Sequence, residues 1–173
     1  MNADKINKWL VLGANVGVLI GIILVVLEIR QATITTNAEM VSNHQNRWVE
    51  ISLSMQNAEF AEAWAKAMQD HDELSVSEMI QVSGFLWAFI DQLHSNQRLW
   101  QLGVFVEAMP STEQVIQGNA SFFFGSEFAQ SWWAENKANI NPQLATILDQ
   151  EIENTARSEN LETYERIRER MHK

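Results

Sequence analysis

From Trp9 to Leu27 the chain runs for nineteen residues without a charge. A helix of that length, at about 1.5 Å per residue, spans about 28 Å, close to the roughly 30 Å hydrocarbon core of a bilayer. Trp9 stands where an interfacial aromatic would stand. Lys5 and Lys8 flank one end, and Glu28 and Arg30 the other. A cleaved signal peptide would carry a shorter apolar region ending in a small-x-small site. Here the apolar run passes straight into Glu-Ile-Arg-Gln, so a retained anchor is expected. The rival is a buried helix of a soluble protein. Lys5, Lys8 and the amino group oppose Arg30 and the more distant Arg47. By the positive-inside rule this leans to a cytoplasmic N-terminus and an external C-terminal domain.

Within this span Gly13, Gly17 and Gly21 recur every four residues. At 100° per residue they fall within about 80° of one another, on the face that also carries Ile20, Leu24 and Glu28. Small residues at that spacing let two helix backbones approach closely in lipid. Asn15 points about 200° away from Gly13. An amide in hydrocarbon needs a partner, so it marks a second contact face. Two different faces suit a homo-oligomer such as a ring, because a heterologous contact uses two patches. The alternative is that glycine is simply frequent in membrane helices and Asn15 bonds its own backbone.

The rest of the chain is acidic. The formal charge is −10, residues 1–30 contribute +1, and −11 is left for the remainder. Such a domain repels phosphate backbones, which argues against nucleic-acid binding. There is no cysteine, so disulfides, thiolate catalysis and cysteine-ligated metals are excluded.

Helix signals are frequent, and no alternating run bounded by a hairpin turn is present. "SVSE" at Ser75–Glu78 is a capping box opening an apolar-periodic segment to about Gly103. Ser111 or Thr112 offers a second cap. Asn141–Pro142 pairs a cap with proline at the first helical position. The tail reads as an amphipathic helix with Leu161, Tyr164, Ile167 and Met171 on one side. Glu162–Arg166 and Glu169–Lys173 form i,i+4 pairs on it. After the membrane segment, Leu27, Ile34, Val41, Trp48 and Met55 recur every seven residues. Gln31, Ala38, Gln45 and Ser52, on the accompanying seam, are polar or small, so a stalk packing along one line is expected rather than a coiled coil. An ordinary helix packed on its own domain is the favoured version of that reading.

Catalytic patterns are scarce. Asp91 and His94 stand at i, i+3, but a di-iron bundle needs two such motifs and further carboxylates, so a hydrogen-bonded surface pair is expected. "QDHDE" at Gln69–Glu73 lacks calcium-loop spacing and reads as a solvated turn. No phosphate loop, nucleophile elbow, dinucleotide fingerprint or zinc-protease motif is present. The seven tryptophans and the run "SFFFGSEFAQSWW" predict an aromatic core. Phe124, Phe128 and Trp132 would form one helical stripe, with Met79, Leu86, Trp87, Ile90, Leu93 and Trp100 as partners.

The stretch "GIILVVLEIRQ" resembles a group of short, uncharacterised bacterial single-pass membrane proteins. These have an N-terminal membrane helix ending in Glu-x-x-Gln, here Glu28 to Gln31, and a small helical domain rich in Trp and Phe. The resemblance implies the bacterial inner membrane as location and carries no activity or functional residues.

Together these features predict an all-α protein: flank and transmembrane helix over 1–30, helical stalk over 31–57, and an acidic helical bundle of three or four helices over 58–173. The expected role is non-enzymatic, with no cofactor and no metal. The protein would be a self-associating structural module, or an accessory subunit of a larger membrane complex, joined through Gly13, Asn15, Gly17 and Gly21. The runner-up is an ion channel or pore lined by Glu28, Thr33, Thr36 and Asn37. A membrane-anchored enzyme stands third.

Overall fold

A computed structural model describes residues 3–69, 71–105 and 109–172, with side chains from Asn7 onward. Among the described residues the chain is all-α, with seven α-helices. They are α1 (Ala3–Ser54), α2 (Ala58–Gln69), α3 (Val76–Gln101), α4 (Thr112–Phe124), α5 (Glu127–Asn136), α6 (Pro142–Glu153) and α7 (Glu159–Met171). The chain divides into two compact units, Met1–Ser42 and Asn43–Lys173.

The first unit is helical throughout its described residues. No proline and no glycine after Gly21 interrupts α1, and it continues to Ser54. Its apolar residues remain uncovered, Leu19, Ile20 and Leu24 being 58%, 53% and 58% exposed.

The second unit takes residues 43–57 of the expected stalk into its own fold. The reason is packing: Trp48, Ile51 and Met55 lie against the core, and His44 is buried. Of the heptad, Leu27 and Ile34 are exposed in the first unit, and Trp48 and Met55 face the core of the second.

Local chemistry sets most helix starts in this unit. The Asn57 side-chain oxygen accepts from the Glu59 and Phe60 N–H groups, which opens α2. Ser75 and Glu78 close the capping box expected for α3, and Ser111 and Gln114 close one for α4. Asn141 caps α6 with Pro142 behind it. Each such cap satisfies N–H groups that a helix start leaves unpaired, worth about 1 kcal/mol.

Among the described residues the bundle contains six α-helices beyond α1 rather than three or four. One added boundary falls inside the aromatic run. Gly125 ends α4 and Ser126 caps α5, its hydroxyl oxygen accepting from the Ala129 N–H. Phe124 therefore lies on α4 while Phe128 and Trp132 lie on α5, so the single stripe expected from spacing does not form. The chain also approaches itself closely at this point. The Asn160 N–H, at the start of α7, donates to the Gly125 carbonyl at 3.5 Å.

Most aromatics of the second unit are in or against its core. α4 packs on α3, α5, α6 and α7, and α2 packs on α3, α5 and α7. Phe89 and Phe123 stack with centroids 3.8 Å apart, Trp64 meets Phe85 edge-on at 5.1 Å, and Trp87 meets Trp132 at 5.1 Å. Leu86, Ile90 and Leu93 are fully buried. Met79 stays 36% exposed, and Trp100 turns aside to Phe105 while donating to the Pro110 carbonyl at 3.0 Å.

Candidate functional site

Two surfaces have the character of binding sites, one in each unit. The first is the apolar length of α1. A Cβ added at Gly13, Gly17 or Gly21 would meet nothing within 4 Å, so the glycine face lies open. Asn15 is exposed, and among the described residues its amide makes no hydrogen bond, not even to its own helix. Glu28, Thr33 and Thr36 are exposed, and Asn37 is partly covered. The Thr33 hydroxyl donates to the Ile29 carbonyl at 2.9 Å, which uses its one donor inside the helix. The four residues expected to line a lumen are brought into no shared constellation within the chain.

The second surface is a groove of about 780 Å³ between the end of α1, the start of α2 and the middle of α3. Its floor is apolar: Ile51, Phe60, Phe85 and Ala88, with Gly84 leaving space between them. Its rim is charged, with Glu50, Glu59 and Asp91 set against one cation, Arg47. No carboxylate lies within 4.0 Å of Arg47 among the described residues. Asp91 and His94 make no hydrogen bond to each other. Asp91 faces the groove and His94 is half-buried, so the surface pair expected from their spacing is not formed. No group of three or more potential metal ligands exists among the described residues.

From Gln92, at the edge of this groove, starts a polar line that no sequence motif announces. Gln92 is buried, and its Nε2 donates to the His44 carbonyl at 2.6 Å. His44 Nδ1 lies 3.1 Å from Ser95 Oγ, and its ring meets Phe105 edge-on at 5.3 Å. One turn on, the Thr112 hydroxyl donates to Asn96 Oδ1 at 2.8 Å. Burial first, and the nearby Arg47 charge second, hold His44 below its ordinary value. The available signal was three polar residues, Gln92, Ser95 and Asn96, on the core-facing side of an apolar-periodic helix. Buried polar side chains at such positions are there because each has a partner.

Two charged clusters brace the domain away from the groove floor. Lys66 Nζ donates to Glu78 Oε1 at 2.6 Å, and the Ser75 N–H donates to Glu78 Oε2 at 2.8 Å. These bonds bring Glu78 down to about 2, and the Glu78 bond raises Lys66. Around Asp149, burial opposes ionisation. The hydrogen bonds from Trp133 Nε1 at 2.7 Å and Lys137 Nζ at 3.0 Å outweigh it, and the carboxyl ends below its ordinary value. Neither cluster joins a nucleophile to a base. The "QDHDE" turn holds a 3₁₀ segment over His71–Glu73, with His71 3.7 Å from Asp72; Asp70 lies outside the described residues. The Glu162–Arg166 pair forms at 3.7 Å, and the Glu169–Lys173 pair lies outside the described residues because Lys173 does.

No family model matches the chain, and neither a curated protein nor a solved structure is similar to it.

Proposed function

We propose that the protein is a single-pass membrane protein of non-enzymatic role, a structural or accessory module that associates with its own kind through the membrane helix. One observation carries the reading: in the most apolar 18-residue window of α1, 0% is buried by the rest of the chain. The core helix of a soluble protein would be mostly covered. Side chains such as Leu19, Ile20 and Leu24 each stand to gain about 1.5–3 kcal/mol on leaving water, and a bilayer supplies that environment along the whole span. The open glycine face and the unbonded Asn15 amide add two places where a second helix gains contact and a hydrogen bond.

The test has two steps on the full chain. The protein should stay with membranes after alkaline extraction at its full mass; release, or loss of the first thirty residues, would sink the anchor. In mild detergent it should be an oligomer by native mass measurement, and Gly17→Ile should shift it toward monomer by blocking close approach. A wild-type monomer at concentrations well above micromolar would sink self-association.

A further inference from the structure

The second unit carries two uncovered apolar surfaces of opposite charge. One is the groove, with an apolar floor and a rim of three carboxylates and one arginine. The other is the outer half of α7. The start of that helix is covered at Glu159, Asn160 and Leu161, and residues 162–172 are exposed. Among the latter, Tyr164, Ile167 and Met171 are 43%, 50% and 79% exposed. Their i, i+3, i+7 spacing sets them on one face, the arrangement by which a helix lies in a groove.

The charge distribution sharpens the match. Residues 166–173 hold Arg166, Arg168, Arg170 and Lys173 against Glu169 alone, a net +3. Residues 43–165 hold eighteen acidic and five basic residues, a net −13. Four of the chain's twelve cations thus sit in its last eight residues. Arg168 and Arg170 form no ion pair among the described residues. With Arg166 paired to Glu162, the tip offers Arg168 and Arg170; the rim offers three carboxylates and one arginine.

We propose that the outer half of α7 docks in the α1–α2–α3 groove of a second copy of this chain. Tyr164, Ile167 and Met171 cover the floor at Phe60 and Phe85, and Arg168 and Arg170 meet Glu50, Glu59 and Asp91. Because the two patches differ, one contact alone is head-to-tail and builds a ring or an open chain, and two copies that exchange α7 reciprocally close as a two-fold dimer. It lies in the helical unit and stands independently of the membrane contact. A basic amphipathic helix could instead lie on anionic lipid. The −13 body that carries this helix is repelled by such a surface and attracts the tip of a neighbour.

The chain has no cysteine, so a single introduced thiol reports one position. A side chain at Gly84 meets nothing within 4 Å, and Ile167 is half exposed, so both accept cysteine. Full-length Gly84→Cys and Ile167→Cys proteins are mixed under mild oxidation in neutral-lipid nanodiscs. Both carry Gly17→Ile, so that the result does not depend on the membrane helix. The mixed disulfide should form, and should exceed the yield of a Gly84→Cys and Thr146→Cys control by about tenfold. Adding Arg168→Glu and Arg170→Glu to the Ile167→Cys protein should lower the yield about tenfold. Adding Glu50→Arg and Glu59→Arg to the Gly84→Cys partner should restore it. A yield no higher than the control, or charge reversal that the partner reversal fails to rescue, overturns the proposal. So does a fluorophore at residue 167 that is buried only when 30% phosphatidylserine is added, which would assign the tip to lipid.

Discussion

Gly125 and Gly118 stand in and at the end of one helix, yet alanine should act in opposite directions at the two. Gly125 ends α4 with φ −82° and ψ 27°, a conformation open to any residue, so its need for glycine is steric. A Cβ there would run into the Ser121 carbonyl oxygen and stand 2.9 Å from the Asn160 backbone nitrogen. Both obstacles are backbone. Relief requires moving the α4 terminus or the start of α7, and with it the buried Asn160. Overpacking of this kind costs about 1–3 kcal/mol, and two backbone neighbours place it near the upper end. At Gly118, exposed inside α4, an added Cβ meets nothing within 4 Å. There alanine should gain about 0.5–1 kcal/mol from helix propensity and a less flexible unfolded chain. The two variants should differ by about 4 kcal/mol. For a unit of this size that is a midpoint roughly 10 °C lower for Gly125→Ala and a few degrees higher for Gly118→Ala. Tryptophan-fluorescence melts of the full chain in mild detergent read both. A Gly125→Ala midpoint equal to or above that of Gly118→Ala would refute the reasoning that α7 is locked to the α4–α5 joint by backbone contact.

Other outcomes follow from individual polar side chains. Glu78, held at about 2 against an ordinary 4.5, binds protons less readily folded than unfolded. Its contribution is therefore complete above about pH 4.5 and is lost as pH falls toward 2. Glu78→Gln should lower stability at pH 6 and flatten the acid limb of a denaturant series between those values. His44, held below 6.5, stays neutral in the fold while the unfolded chain takes up a proton, so stability should decline as pH drops below about 6.5. That slope should vanish in His44→Asn, and an NMR titration should place the wild-type imidazole under 6.5. Trp64 Nε1 is buried without a hydrogen-bond partner, whereas Trp133 Nε1 donates to Asp149. Trp133→Phe should accordingly cost about 1–2 kcal/mol more than Trp64→Phe in urea unfolding, since only the former strips a partner from a carboxylate.

What could be foreseen in the sequence divides along the distance over which each signal acts. Ser75 with Glu78, and Asn141 with Pro142, are complete within four residues, and they start helices where that chemistry places them. The uncharged run from Trp9 likewise carries its own length and hydropathy. The break at Gly125 does so only in part: Ser126 supplies a local cap, but the Phe124, Phe128, Trp132 spacing fits a continuous helix and the Gly125 contact with Asn160 lies thirty-five residues further on. The groove has the same origin, since its lining comes from residues 47–60 and 81–92. The pairing of Gln92 with His44 spans a similar gap. For α7 the pattern showed an apolar side but could not show that the parent domain leaves it uncovered.

The placement of His44, Trp48 and Ile51 in the core also has a consequence for synthesis. Trp48 meets Phe89, and His44 meets Ser95, partners made about forty to fifty residues later. At about 5–20 residues per second, these side chains leave the ribosome some 2–10 seconds before anything exists to cover them. A fragment that begins beyond Ile51 would lack the interval and the core residues alike, so an autonomous version of the helical unit has to start no later than Asn43.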